Sequence, residues 1–159
     1  MPKPNAYIET TIPSFYYDLR PDPEMVARRL WTRQWWASAR DHYALLTSEV
    51  VAEELSAGTS ALVPLRLKLL EGLPEIAVTS QVEATAHAYV RHKLMPAHPG
   101  GDAFHLALAS CFKCDFIVTW NCRHLANPNK FAHIREINHR LGLPTPEIVT
   151  PLNLLRRTA

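Results

Sequence analysis

Residues 99–121 read PGGDAFHLALASCFKCDFIVTWN, and the reading of this stretch decides the fold. Gly100 and Gly101 break the preceding segment. Asp102 then opens a run of Ala103, Phe104, Leu106, Ala107, Leu108 and Ala109 that is apolar on nearly every side. A helix apolar all round is a buried helix, so its single acid stands out. Asp102 falls in the first turn, where free backbone N–H groups and the helix dipole favour negative charge. The pattern predicts that the helix ends near Lys113 and that residues 116–119, FIVT, form a short buried strand. Asn121 follows at the carboxyl end of that strand. In an open α/β sheet, ligands bind in the crevice beyond the strands' carboxyl ends. Asp102 and Asn121 are therefore expected to be two walls of one polar pocket.

Working outward, the same grammar repeats. Tyr7 and Ile8 lie in a short first strand that stops by Thr11, because Pro13 cannot donate to a ladder. Glu9 then sits at a strand's carboxyl end, as Asn121 does. A helix is predicted over residues 24–40, with Val26, Leu30, Trp31, Gln34, Trp35 and Ala37 as its stripe. Arg28, Arg29, Arg33 and Arg40 surround that stripe. Arg and Trp together can stack on nucleic-acid bases, although such a stripe is more often core or a dimer face. Residues 43–47 read as a second buried strand, and Ser48 as the cap of a helix over residues 49–57, stopped by Gly58. Glu54 has Val50 at i−4 and Val51 at i−3, so it points inward, while Glu49 and Glu53 point out. An inward acid needs a partner or a metal. Further helices are expected over residues 59–71, 80–94 and 130–141, with short strands at 75–78 and 148–149 and a basic helix at 152–157. Residues 95–99 are the proline-broken loop between them. Strands alternating with helices mean an α/β chain with a parallel sheet flanked on both faces.

The 159 residues make one domain, spanning residues 1–159, with 47% hydrophobic and 20% charged residues. No apolar run approaches the ~20 residues of a membrane span. The start, Met1-Pro2-Lys3-Pro4, lacks the apolar core of a secretory signal. Three cysteines give no disulfide framework, so a reducing cytoplasm is the expected home. A net charge of +2 does not by itself argue for nucleic acid.

Glu9, Glu54, Asp102 and Asn121 are scattered in sequence, yet each maps to a strand's carboxyl end or a nearby helix face. Such oxygen ligands suit Mg²⁺ or Mn²⁺, which also bind phosphate. Without metal, clustered carboxylates repel, and at least one pKa should rise. Nucleotide-loop and serine-elbow chemistry lack their motifs. Cys111 and Cys114 form a C-x₂-C pair with Cys122 and His124 nearby, but Cys111 lies within the buried helix, which argues against zinc. His105, three residues after Asp102, is either a hydrogen-bonded core histidine or a group serving the site. His124 either meets a phosphate or caps the following turn.

The stretches YIETT, TSEVVAEEL, GDAFHLALA and DFIVTWNCRHL, in this order, resemble the PIN-domain family and, within it, the VapC-like ribonuclease toxins of type II toxin–antitoxin systems. The resemblance implies a three-layer α/β/α fold around a mostly parallel, Rossmann-like sheet. It also implies metal-dependent hydrolysis of RNA phosphodiester bonds with Mg²⁺ or Mn²⁺. Its acidic positions carry over to Glu9, Glu54, Asp102 and Asn121, the first three as metal ligands, with Thr10 or Thr11 as the polar helper. Two departures stand out: Glu9 replaces the family's first Asp, and Asn121 replaces its last. One carboxylate fewer weakens a second metal position and leaves a non-catalytic binding module as the competing reading. The implied partners are an RNA substrate, a small antitoxin protein and a second copy of the chain, with no membrane.

Overall fold

Five parallel strands in the order β3-β2-β1-β4-β5 form the central layer of this computed structural model, which describes residues 2–96 and 101–158. They are β1 (Asn5–Ile8), β2 (Ala44–Ser48), β3 (Glu75–Ile76), β4 (Phe116–Val118) and β5 (Glu147–Val149). The helices are α1 (Thr11–Tyr16), α2 (Pro23–His42), α3 (Glu49–Ser56), α4 (Val63–Leu69), α5 (Ser80–Arg91), α6 (Gly101–Cys111), α7 (Pro128–Arg140) and α8 (Pro151–Thr158). They cover the sheet in the three-layer α/β/α arrangement of a PIN-like fold. Both faces of β1 are buried: Ala6, Tyr7 and Ile8 show no accessible surface, as strands covered on two sides require. Among the described residues no helix is long and apolar enough to cross a membrane.

The strand order has one consequence for the site. The chain leaves β1 towards β2 on one side, whereas β4 and β5 lie on the other, so the order reverses between β1 and β4. At such a switch point the helices diverge and open a crevice at the strands' carboxyl ends. β1 and β4 are in register there, with Tyr7 beside Ile117 and Ile8 beside Val118. Glu9 N donates to Val118 O at 3.2 Å, carrying the ladder one residue past β1.

The all-round apolar helix is the buried one. In α6, Ala103, His105, Leu106, Ala107, Leu108, Ala109 and Ser110 are all buried. Its far end is pinned by polar bonds, since Tyr89 Oη donates to Asn138 Oδ1 at 2.5 Å and Asn138 Nδ2 to Ser110 Oγ at 3.0 Å. Burial pushes the Tyr89 hydroxyl up to about 12. Ser48 caps α3, accepting from Val51 N at 3.3 Å, as the sequence predicts.

Several details differ from the sequence reading. Residues 11–16, to which the sequence reading assigned no element, form α1. Pro13 sits inside its first turn, where a missing N–H does no harm, so the residue that ends the strand also starts a helix. The stripe of α2 is rotated from the expected one. Thr32, Trp35 and Ala39 are buried, whereas Leu30, Gln34 and Ala37 are exposed. Trp120 causes this by docking on α2: its Nε1 donates to Thr32 Oγ1 at 2.7 Å and its ring stacks on Trp31. Arg28 lies over both Trp120 and Phe15, so this Arg–Trp pairing is internal packing and not a free base-stacking platform. Thr79 caps α5, its Oγ1 accepting from Val82 N at 3.2 Å. The break at Gly100 and most of the loop at 95–99 lie outside the described residues.

Candidate active site

Four elements deliver side chains to the β1/β4 crevice. Glu9 follows β1 and is almost wholly buried, with 3% of its surface exposed. A buried carboxylate must be hydrogen-bonded. Its Oε1 accepts from Thr11 N at 3.0 Å, Thr11 Oγ1 at 2.5 Å and Thr119 Oγ1 at 2.7 Å. Thr11 Oγ1 also accepts from Trp120 N at 2.8 Å, which ties the start of α1 to the end of β4. The longer Glu side chain, one methylene beyond Asp, is therefore held by its Oε1, leaving Oε2 without a hydrogen bond from the described residues.

Glu54 arrives from α3. Its side chain is 38% exposed, but its carboxylate turns into the site: Oε1 accepts from Thr10 Oγ1 and from His105 Nε2, both at 2.6 Å. Neighbouring Glu53 is exposed. Glu49, expected to point outward, is half-buried instead, because its Oε1 accepts from Val78 N at 2.7 Å and holds the turn after β3. Gly101 makes room for Glu54. A Cβ there would overlap Oε2 and lie 3.1 Å from Cδ.

Asp102 and Asn121 do face each other across the crevice, with Asn121 Nδ2 donating to Asp102 Oδ1 at 2.8 Å. Asn121 Oδ1 accepts from His124 N at 3.0 Å, so the backbone of His124 closes the turn while its ring lies 3.5 Å from Lys130 Nζ. Thr10 and Thr11, read as polar helpers, each donate a hydroxyl to a carboxylate: Thr10 to Glu54 and Thr11 to Glu9.

His105 stands at the centre with 1% exposure. Its Nδ1 lies 2.6 Å from Tyr7 Oη, which is 2.8 Å from Ser48 Oγ. Its Nε2 is 2.6 Å from Glu54 Oε1 and 4.0 Å from Glu9 Oε2. Burial alone would lower its pKa. The Glu54 hydrogen bond and the charges of Glu9, Glu54 and Asp102 outweigh burial and raise it above 6.5. The same contact acts in reverse on Glu54: burial pushes the carboxyl up, but His105 and Thr10 hold it below 4.5. The raised carboxyl expected from clustered acids is thus not found at Glu54, because the sequence reading placed no cation among them. Sequence reasoning also missed Tyr7, Ser48, Thr119 and Gly101. One signal was present, since Tyr7 and Glu9 are two apart on a strand and so share a face.

This pair makes stability pH-dependent. Glu54, with a lowered folded pKa, adds stability above its unfolded value of 4.5 and loses it as pH falls. His105, with a raised folded pKa, adds stability in full below 6.5 and loses it as pH rises through the folded value. One contact underlies both, so its contribution peaks between the two. The midpoint difference between wild type and Glu54→Gln, measured in EDTA, should be largest at pH 4.5–6.5 and shrink on either side. A difference independent of pH would show that His105 is not charged beside Glu54.

The donor set suits a hard dication in kind: Glu9 Oε2, Glu54 Oε2 and Asp102 Oδ2 accept no hydrogen bond among the described residues. In their present arrangement they are not a ligand cage, since no group of three His, Cys, Asp or Glu among the described residues is placed to hold a metal ion. The zinc alternative fares no better. Cys114 is buried with its thiol pushed to about 12, while Cys122 is exposed.

The doubly wound parallel sheet, with acids near its switch point, has the three-layer α/β/α arrangement of a PIN-like fold. Among solved structures, VapBC2 from Rickettsia felis, bound to a DNA fragment from its promoter, aligns with a TM-score of 0.57 at 14% identity, covering 92% of this chain and 98% of that one. FitAcB from Neisseria gonorrhoeae aligns with a TM-score of 0.51 at 12% identity, with the same coverage. At these identities the likeness is one of fold. No family model matches the chain, and no curated protein matches it significantly.

Proposed function

We propose that this protein is a metal-dependent endoribonuclease that hydrolyses RNA phosphodiester bonds as the toxin of a toxin–antitoxin pair. The observation that carries the reading is the pair Glu9 and Glu54 about His105, whose ring the charge of Asp102 also reaches, together with the Asp102–Asn121 contact. The fold shared with VapBC2 and FitAcB supports it. Mg²⁺ or Mn²⁺ would be held by Glu9, Glu54 and Asp102, and would supply charge neutralisation at the phosphodiester and a more acidic attacking water. The chain's own residues orient that set: Thr11 and Thr119 fix Glu9, Thr10 and His105 fix Glu54, and Asn121 fixes Asp102. The reading carries with it a small protein partner, a homodimer and a cytoplasmic setting. Incubating purified protein with structured RNA in Mn²⁺, Mg²⁺ or EDTA tests it; cleavage in the metals and none in EDTA is expected.

Asn121 favours a second reading, a PIN-fold binding module with a weakened site. Its amide bridges Asp102 and His124 where the family has a charged ligand. Asn121→Asp tests that premise. It would set two carboxylates against each other, lowering the midpoint in EDTA, and should tighten Mn²⁺ binding by about tenfold through added ligand charge. Calorimetric titration showing unchanged Mn²⁺ affinity would place residue 121 outside the metal site and remove the ground for the binding module.

A further inference from the structure

We infer that His105 is a positioning residue for Glu54, acting through a closed ring of hydrogen bonds that begins and ends on the same helix. Glu54 is a long side chain with 38% of its surface exposed, and fixing such a chain forfeits rotamer freedom. Something must hold its carboxylate over the crevice. Ser48 caps α3, the helix that carries Glu54, through Val51 N. Ser48 Oγ also meets Tyr7 Oη, Tyr7 Oη meets His105 Nδ1, and His105 Nε2 meets Glu54 Oε1. The path runs from the cap of α3 through β1 and α6 back to α3, its three side-chain links at 2.6 to 2.8 Å and the cap at 3.3 Å.

Donors and acceptors match along it. In the charged ring Nε2 donates to Glu54 and Nδ1 to Tyr7 Oη, and Tyr7 donates to Ser48 Oγ; in the neutral ring with its proton on Nε2, the Tyr7 and Ser48 hydroxyls turn round. His105 and Tyr7 are fully buried, so neither ring can swing away without repacking the sheet. A buried imidazole with both nitrogens bonded has the donor-fixing role that outer partners play in metal and catalytic sites. Tyr7 and Ser48 then serve to fix the ring, not to touch substrate. Glu9 Oε2, 4.0 Å from Nε2, is close enough to sense the ring but not to bond it.

The inference rests on the ribonuclease reading for its kinetic consequence and on geometry for the rest. Three variants test it: His105→Gln, His105→Leu, and the double variant Tyr7→Phe/His105→Leu. Gln keeps an N–H that reaches Glu54, whereas Leu fills the space and donates nothing. The double variant also removes the Tyr7 hydroxyl, which Leu would leave with Ser48 alone as partner, so it relieves the buried polar group that the single variant leaves half-satisfied. In His105→Leu and the double variant, kcat should fall about 10–100-fold with KM within about threefold. His105→Gln should keep most of the wild-type kcat. A purely structural histidine gives the opposite order, with the apolar Leu double variant tolerated best. Crystal structures supply the readout that needs no activity: Glu54 should leave Thr10 in the double variant and stay in His105→Gln. A Glu54 carboxylate unmoved in the double variant would overturn the inference whether or not the wild type cleaves RNA. Wild-type protein that cleaves nothing, with Glu54 displaced in the double variant, would overturn the ribonuclease reading alone.

Discussion

Glu54→Gln should abolish metal-dependent RNA cleavage, while Glu53→Gln should leave it within a few-fold. The two residues are adjacent on α3, so they differ by about 100° around the helix axis. Glu53 is exposed, whereas the Glu54 carboxylate is bonded to Thr10 and His105 at the crevice. Gln preserves shape and removes charge. Its amide also presents a donor where Oε1 accepts two hydrogen bonds or where Oε2 is free, so either orientation weakens the site. A loss of about 10²–10⁴-fold is expected for a charged group acting at the reacting atoms. Cleavage rates at fixed Mn²⁺, with thermal midpoints to exclude unfolding, check it. Equal losses in the two variants would show that the acid face of α3 has been assigned to the wrong residue.

The fold was legible because its signals are local and redundant. Residues 103–109 are apolar on nearly every side, His105 excepted, which fits a buried helix, and the alternation of strand and helix leaves little choice but a parallel sheet. Glu9 and Asn121 were placed correctly because a strand's carboxyl end is a position that a turn residue or a proline marks in sequence. What was not legible depends on contacts between distant segments. The rotation of α2 is set by Trp120, which is 88 residues from its partner Thr32. Glu49 carries the same side chain as Glu54 on the same helix, and only the turn after β3 makes it a backbone acceptor. The spacing of His105 from Asp102 put it on the correct side of α6, but its bond to Glu54 spans 51 residues. Because that bond was invisible, the acids appeared as unrelieved repulsion when the folded chain sets a basic ring among them.

Gly101→Ala should leave the protein folded and stop cleavage. Gly101 opens α6, next to Asp102, and its missing side chain is where Glu54 Oε2 lies. An alanine Cβ overlaps that oxygen, so one of the two must move. The helix is anchored by its buried residues from Ala103 onward, whereas the carboxylate is the end of a flexible chain with 38% of its surface exposed. Glu54 therefore yields, losing its bonds to Thr10 and His105 together. Alanine raises helix propensity over glycine by up to about 1 kcal/mol, whereas the move leaves the buried His105 Nε2 without its acceptor, at about 1–3 kcal/mol. Stability should thus fall modestly while the fold is kept. Activity has no such compensation, because a carboxylate swung towards solvent no longer faces the crevice, and a loss approaching that of Glu54→Gln is expected. Denaturant midpoints and cleavage rates on the same preparations test the dissociation. Full activity in Gly101→Ala would mean that the Oε2 position against residue 101 is not the one from which Glu54 works.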